Sequence, residues 1–240
     1  MTDIHSHVLP GIDDGSKNVA QSLDMLAETA AQGIHTIAAT SHFYPSENSP
    51  RRFLERRNAA AGRLFDALED SGTPTPHILL GAEVYYFDGI STADEVEDLR
   101  IEGTQLLLLE MPFSPWTERM VTEVERLHER RGVTVLMAHI ERYFRFRKAW
   151  MFDELLDCGV LMQSNAEFFL GWRTRRKALR MLANNEIQFL GSDCHNMFSR
   201  APRLGEAMAV IGPEGCDQVE ANLREWVPDL IYQSKTAQTV

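Results

Sequence analysis

Histidine and carboxylate side chains stand at short, regular spacings near both ends of this 240-residue sequence. His5 and His7 are two positions apart, and Asp193 and His195 repeat that spacing. In a β-strand, residues i and i+2 point to the same face, so each pair projects side by side. Two such side chains can bind one metal ion, although an HxH pair alone is weak evidence for a metal site.

Two glutamates end apolar segments that have the length of strands. Glu83 follows Leu79–Ala82, and Glu110 follows Leu106–Leu109. A carboxylate at the end of such a segment is costly to bury unless it is paired or binds a cation. Both are therefore predicted as ligands.

The remaining candidates are two histidines at strand ends, His42 and His139, and Asp14, which lies in the loop beyond His7. Asp13 is instead expected to stabilise a turn or to cap the next helix. Nine imidazole and carboxylate groups exceed what one ion with about four to six ligands needs, so two or three ions are expected. Without thiolates the set suits Mn²⁺, Fe or Zn²⁺. The predicted ligands are His5, His7, Asp14, His42, Glu83, Glu110, His139, Asp193 and His195.

Strand-like and helix-like segments alternate along the whole sequence, which predicts an α/β fold with a parallel sheet. Six of seven predicted strands carry an ionisable residue at the C-terminal end. This favours a TIM-like (β/α)7 barrel over an open, doubly wound sheet, because barrel sites collect residues from many strand ends. The predicted strands are Asp3–Leu9, Thr36–His42, Ile78–Tyr85, Thr104–Met111, Val133–His139, Val160–Asn165 and Ile187–Asp193. The predicted helices are 18–32, 51–71, 92–99, 116–131, 148–157, 174–185, 203–211 and 215–226.

The composition predicts one globular domain over residues 1–240 in the cytoplasm. Hydrophobic residues make up 44% of the chain, and neither a signal peptide nor a membrane-spanning segment is recognisable. Three cysteines are too few and too irregularly placed for a disulfide framework. The 24 basic and 35 acidic residues give a net charge of −11, which opposes sequence-independent binding to nucleic acid.

At the predicted ligands, the sequence resembles the PHP (polymerase and histidinol phosphatase) superfamily. The strings DIHSH, TSH, GAEVYY, HIERY and SDCH stand in the order of that superfamily between residues 3 and 195. More narrowly, DIHSHVLPGIDDG is similar to the bacterial manganese-dependent protein-tyrosine phosphatases of capsular polysaccharide operons. The resemblance implies a distorted barrel of about seven βα units that holds three divalent ions, with Mn²⁺ expected and Fe or Zn²⁺ as alternatives. By the same resemblance, His5, His7, Glu83 and Asp193 would hold the first ion, Glu83, Glu110 and His139 the second, and Asp14, His42 and His195 the third.

The resemblance also includes two arginines, Arg142 and Arg200. It implies that they are catalytic residues that neutralise the phosphoryl oxygens. It implies hydrolysis of phosphotyrosine by a metal-activated hydroxide without a phosphoenzyme. The implied substrate is the tyrosine-rich tail of an autophosphorylated bacterial tyrosine kinase. The superfamily often has proline after the histidine of its HPERY string, and Ile140 stands there in this chain, which leaves the direction of Arg142 less constrained.

Three other interpretations stay open at this point. Cys194 and Arg200 match the C-x5-R outline of cysteine-dependent tyrosine phosphatases, although the loop has no glycine and Cys194 alternates with two predicted ligands. Basic groups at 51–63, 142–148 and 173–180 allow a PHP nuclease, and small-molecule phosphatases of the histidinol-phosphate type share much of the site. A non-enzymatic metal-binding protein would not need the two arginines.

Overall fold

A computed structural model describes residues 1–226, so the last part of the predicted domain, 227–240, lies outside the described residues. All strand pairs are parallel, and each predicted strand segment is present. The strands are β1 (Thr2–Ser6), β2 (Thr36–Ala39), β3 (His42–Phe43), β4 (His77–Leu80), β5 (Glu83–Tyr85), β6 (Leu106–Glu110), β7 (Thr134–Met137), β8 (Leu161–Asn165) and β9 (Phe189–Gly191).

Two predicted strands are each broken in two, so that Thr36–His42 becomes β2 and β3, and Ile78–Tyr85 becomes β4 and β5. The breaks lie side by side: Ala39 pairs with Leu80 before them and His42 pairs with Glu83 after them. Beside the break, the hydroxyl of Thr40 accepts a hydrogen bond from the backbone N–H of Ser6. Backbone hydrogen bonds from Gly81 to Ala39 and from Glu83 to Thr40 continue across the break, and the register of the pair is the same on both sides.

The sheet closes into a ring of seven strand segments, in the order β1, β2–β3, β4–β5, β6, β7, β8 and β9. At the closing edge, Ser6 bridges Cys194, and the backbone N–H of Asp193 donates to the carbonyl of His5 at 2.8 Å. The distorted, TIM-like barrel predicted from the sequence is confirmed. Its strands are covered on both faces, and the leucines of β6 are at most 1% exposed.

The helices on the outside of the ring follow the predicted segments closely. Their bounds are α1 (Val19–Ala31), α2 (Pro50–Ser71), α3 (Glu118–His128), α4 (Ala149–Asp157), α5 (Ala166–Leu170), α6 (Arg175–Ala183) and α7 (Leu204–Trp226). The short α5 was not predicted, and the predicted helix 92–99 is a 3-10 helix over Asp94–Leu99. The two predicted helices 203–211 and 215–226 form α7, with a kink at Gly212, where φ is 76°, followed by Pro213.

The ends of α2 show how local sequence determines a boundary. The Ser49 side chain accepts a hydrogen bond from the backbone of Arg52, Pro50 occupies the first turn, and Gly72 ends the helix in the left-handed conformation.

Two arginines of α2 also hold the loop after β1: Arg56 donates to the carbonyl of Ile12, and Arg63 donates to that of Pro10. The basic group at 51–63 thus partly supports the loop that carries Asp13 and Asp14.

Within the described residues, no helix combines the length and apolar composition needed to cross a bilayer.

Candidate metal centre

All nine predicted ligands lie at the C-terminal mouth of the barrel, where their side chains meet. Three sets of side chains each offer ligand atoms that lie within 4.8 Å of one another. His139 belongs to none of these sets but contacts two of their members: its Nε2 is 2.7 Å from Oε1 of Glu83 and 3.5 Å from Oε1 of Glu110. The three sets are His7, Asp14, His42 and His195; His5, His7 and Asp193; and His42, Glu83 and Glu110.

These sets overlap with the grouping that the resemblance implies but are not identical to it. Glu83 also contacts the second set, because its Oε2 is 3.3 Å from Nε2 of His5 and 3.2 Å from Nε2 of His7. His7 and His42 each belong to two sets. The convergence is an observed feature, while the role of each side chain as a ligand stays a prediction.

Several buried atoms of the cluster have no hydrogen-bond partner among the described residues. Nδ1 of His42 and Oε2 of Glu83 are 3.0 Å apart, yet neither makes a hydrogen bond. Nε2 of His195 is also unpartnered. Nε2 of His5 faces Nε2 of His7 at 3.2 Å. Buried polar atoms without partners are costly, and imidazole and carboxylate atoms aimed at a common point are suited to divalent cations. The residues present therefore fit a metal centre.

The charges of the cluster strongly perturb its titration. Burial on its own would lower the pKa of His7, but the carboxylates of Asp13 and Glu83 outweigh it and raise the pKa to about 10. For His139, the carboxylates of Glu110 and Glu83 outweigh burial and raise the pKa to about 9. Burial would raise the pKa of Asp193, but neighbouring cations, His5 foremost, hold it well below its usual range. Cation binding would have to displace the imidazole protons, so metal affinity should rise with pH.

Asp13 orients two of the predicted ligands, a function that the sequence did not reveal. Its Oδ2 lies 2.8 Å from Nδ1 of His7 and accepts the backbone N–H of His42 at 3.0 Å. Its Oδ1 accepts the N–H of Gly15, so the predicted turn is confirmed. The predicted helix cap is wrong, because the side chain of Asn18 caps α1. A donated Nδ1 proton leaves Nε2 of His7 free to bind a cation.

Strand β8 supplies neutral side chains that support the cluster. Oε1 of Gln163 lies 3.1 Å from Nδ1 of His5 and accepts the backbone N–H of His139 at 2.7 Å. Nδ2 of Asn165 donates to Oδ2 of Asp193 at 2.8 Å. The segment Val160–Asn165 is the one predicted strand of the seven without an ionisable residue at its end, so its sequence does not predict a ligand. The i and i+2 spacing of the two amides was the available signal.

The two predicted catalytic arginines lie beside the cluster and converge on one carboxylate. Arg142 donates from Nη2 to Oδ2 of Asp193 at 2.5 Å, and Arg200 donates from Nη2 to Oδ1 at 2.6 Å. Both guanidinium groups are about one-third exposed. Ile140 in place of the proline does not turn Arg142 away, because a 3-10 turn over Ile140–Tyr143 follows His139 directly.

Two of the converging residues have a strained backbone. His139 has a φ of 31° and Asp193 a φ of 51°, both in the left-handed region that residues with a Cβ atom rarely adopt. Such strain concentrates at functional sites, where the surrounding structure maintains it.

A cavity of about 380 Å³ opens next to the two arginines. Its lining includes Arg142, Arg200 and Asp193 together with Phe168 and Thr174. The cavity has room for a side chain next to the guanidinium groups.

The cysteine-dependent interpretation does not fit the structure. The Cys194 side chain is 0% exposed and forms part of the core. Burial raises the pKa of its thiol, whereas a nucleophilic cysteine needs a lowered pKa and access to substrate.

Comparison with known proteins covers most of the chain. The family model for capsular polysaccharide synthesis, CpsB/CapC, matches residues 1–224. The chain belongs to the CpsB/CapC family. Among relatives, it is 30% identical over 225 residues to the tyrosine-protein phosphatase YwqE of Bacillus subtilis, covering 89% of this chain and 85% of YwqE. It is 29% identical over 231 residues to the tyrosine-protein phosphatase CpsB of Streptococcus agalactiae, covering 88% and 89% of the two chains.

Solved structures agree with the family assignment. The crystal structures of YwqE from Bacillus subtilis and CpsB from Streptococcus pneumoniae, described as metal-dependent tyrosine phosphatases, include a chain that matches with a TM-score of 0.80. The sequence identity is 26%, and 93% of each chain is covered. The phosphotriesterase from Mycobacterium tuberculosis matches with a TM-score of 0.52 at 13% identity, which shows a shared fold alone.

Proposed function

We propose that this CpsB/CapC family member, acting as one domain over residues 1–240, is a metal-dependent protein-tyrosine phosphatase. The observation that carries the proposal is the convergence of nine imidazole and carboxylate side chains beside two arginines at the barrel mouth. The fold match to metal-dependent tyrosine phosphatases and the family membership support the same function.

The cluster would hold three divalent ions, with Mn²⁺ as the expected metal and Fe or Zn²⁺ as alternatives. Bound cations would supply Lewis acidity and lower the pKa of a coordinated water to near neutrality. In the assignment that the resemblance favours, Glu83 would contribute to two of the ions. The ligands would be His5, His7, Glu83 and Asp193; Glu83, Glu110 and His139; and Asp14, His42 and His195.

Arg142 and Arg200 would orient the phosphoryl group and neutralise its oxygens. Their guanidinium groups are planar forks that bind phosphate through two parallel hydrogen bonds. Each donates one N–H to Asp193, Arg142 to Oδ2 and Arg200 to Oδ1, so their remaining N–H groups stay available to a substrate. Their partial exposure next to the cavity gives a phosphate access to them.

The leaving group requires little assistance from a general acid. Tyrosine has a pKa of about 10, so its phenolate departs more easily than the alkoxide of serine. The buried Cys194 is not available as a nucleophile, which favours hydrolysis without a phosphoenzyme.

The substrate would be a phosphotyrosine protein, and the physiological partner would be the tyrosine-rich tail of an autophosphorylated bacterial tyrosine kinase that controls polysaccharide synthesis. Such a substrate places the enzyme in the cytoplasm.

Hydrolysis of p-nitrophenyl phosphate by metal-stripped protein, with and without added Mn²⁺, tests the proposal. We expect activity to require the metal and to persist in Cys194→Ser, the matched control for the cysteine route. Activity that survives thorough chelation would overturn metal dependence. A phosphotyrosine peptide should be hydrolysed faster than a phosphoserine peptide, histidinol phosphate or single-stranded DNA, and a faster rate on either of the last two would favour a histidinol-phosphate-type phosphatase or a nuclease.

A further inference from the structure

The cavity beside Arg142 and Arg200 continues into a surface rich in cations, which we call the basic rim. Phe168, which lines the cavity, packs against Phe144 with ring centroids 5.8 Å apart. Nζ of Lys177 lies 3.3 Å from the centre of the Phe144 ring, so the rim begins where the cavity wall ends. We define the basic rim as cations that flank Phe144 or Thr174 in the sequence: Arg145, Arg147 and Lys148 after Phe144, and Arg173, Arg176 and Lys177 on either side of Thr174, which also lines the cavity.

Among the residues that the structure describes, no cation of the basic rim forms an ion pair with a carboxylate. Elsewhere in the chain such pairs are present, as between Arg130 and Glu97 at 2.9 Å and between Arg203 and Glu206 at 2.7 Å. Acidic residues outnumber basic ones by 35 to 24, so partners are plentiful in the composition. The unpaired state of the rim is therefore a local property of this surface.

The rim also carries electrostatic costs that folding alone does not require. Burial lowers the pKa of Lys177, and the neighbouring positive charges of Arg147 and Arg180 lower it further, with only a smaller opposing effect from Glu186. Arg176 and Lys177 lie in the first turn of α6, which has no acidic residue. A cation is unfavourable there because the helix dipole is positive at that end. Nε of Arg147 is buried without a hydrogen-bond partner. An anionic ligand would offset the repulsion between the cations and their unfavourable position at the start of α6.

Aromatic rings are interleaved with the cations of the rim. The Arg147 guanidinium lies 4.1 Å from the centre of the Phe152 ring, and that of Arg145 lies 4.6 Å from the Phe146 ring. Arg173 packs over Trp172, which is 81% exposed. Cations beside aromatic rings offer both a phosphate contact and a surface for a phenyl ring.

We propose that the basic rim binds a second phosphotyrosine of the same substrate segment while the first occupies the metal centre. This inference rests on the proposed phosphatase function and deepens it, since it makes multiply phosphorylated tails the preferred substrates. A polypeptide segment fits better than a nucleic acid for two reasons. The connecting cavity of about 380 Å³ has the size of a side chain, and the net charge of −11 repels a long polyanion.

Binding of peptides that carry non-hydrolysable phosphonate analogues of phosphotyrosine tests the inference without relying on catalysis. Metal-loaded protein is titrated against fluorescent peptides with one analogue, or with two analogues spaced about two to six residues apart, a span of roughly 7–20 Å. We expect the wild type to bind the two-analogue peptide about fivefold more tightly than the one-analogue peptide at low salt. Arg173→Gln/Arg176→Gln should remove this preference, and added salt should weaken it.

The matched control is Arg126→Gln/Arg131→Gln, which removes the same charge. Both control residues are exposed and lie at the end of α3 and just before β7, the end of the barrel away from the mouth. The control should keep the wild-type preference, and both double variants should hydrolyse p-nitrophenyl phosphate at the wild-type rate.

Three outcomes decide the question. Loss of the preference in the rim variant alone supports the inference, even if no phosphatase activity is found. Equal affinities of the two peptides for the wild type overturn it. Tighter, rim-dependent binding of single-stranded DNA than of the two-analogue peptide also overturns it and assigns the rim to nucleic acid.

Discussion

Replacing Asp13 by Asn should weaken metal binding, although Asp13 is not itself a proposed ligand. Its carboxylate faces three donors: Nδ1–H of His7 at 2.8 Å and the backbone N–H groups of His42 and Gly15, each at 3.0 Å. An amide has one acceptor oxygen and one donor group. Whichever way the amide of Asp13→Asn turns, its NH2 group faces at least one of these donors.

The size of the effect follows from these contacts. If the amide oxygen keeps His7 and His42, the N–H of Gly15 loses its acceptor, and the free energy of unfolding should fall by about 1–3 kcal/mol. The neutral oxygen then holds the His7 ring less firmly and makes it less basic. Replacing such an orienting carboxylate lowers metal affinity about 10- to 100-fold, which corresponds to about 1.4–2.8 kcal/mol of binding free energy.

The assay is calorimetric titration of metal-stripped protein with Mn²⁺, accompanied by urea unfolding of the metal-free protein. Asp24→Asn is the control, because Asp24 is exposed on α1 and should show wild-type affinity. Mn²⁺ affinity within twofold of wild type for Asp13→Asn would refute the argument that Asp13 orients His7.

Four further outcomes are expected. Arg200→Lys should lower kcat on an aryl phosphate about 100-fold at unchanged Tm, because lysine lacks the planar fork, and an unchanged kcat would remove Arg200 from catalysis. Cys194→Ser should keep activity within about threefold while lowering stability, since it buries a hydroxyl, and an inactive but folded variant would revive the cysteine route. Mn²⁺ at 100 times its Kd should stabilise the metal-free protein by about 2.7 kcal/mol, and thus raise Tm by roughly 5–10 °C; an unchanged Tm would contradict binding to the folded state. Burial lowers the pKa of His128, whose Nδ1 accepts the N–H of Val135, so the unfolded state binds the proton more readily. The contribution of His128 to the free energy of unfolding is therefore complete above pH 6.5 and lost as pH falls below it. Between pH 7 and pH 5, the free energy of unfolding measured in urea should fall less for His128→Asn than for the wild type. An equal fall in both proteins would contradict this.

Much of the fold could be predicted because its signals are local. The Ser49–Pro50 start and the Gly72 end of α2 are capping signals, and they lie within one residue of the predicted helix. The break at Thr40 could not be predicted, since it concerns the pairing of two segments that are 41 positions apart in the sequence. The five-residue α5 was too short to show a helical period.

The composition of the candidate site could be predicted for a different reason. Ionisable residues at the ends of apolar strands are costly without partners, so Glu83 and Glu110 were conspicuous in the sequence. The supporting residues were not, because Gln163 and Asn165 are uncharged. Asp13 was expected in a turn, and its contacts with His7 and His42 exist only once the loop folds back over the strand ends.

The closing edge of the ring brings its first strand, β1, and its last strand, β9, to the same site. His5 lies in β1 and Asp193 directly follows β9, and the two are 188 positions apart in the sequence. At a synthesis rate of about 5–20 residues per second, His5 is added to the chain roughly 10–40 s before Asp193. During that interval β1 has an open edge, and its histidines lack their acidic neighbour. The proposed metal centre would therefore be complete only after translation has passed Asp193, so metal loading would come late in synthesis or after it.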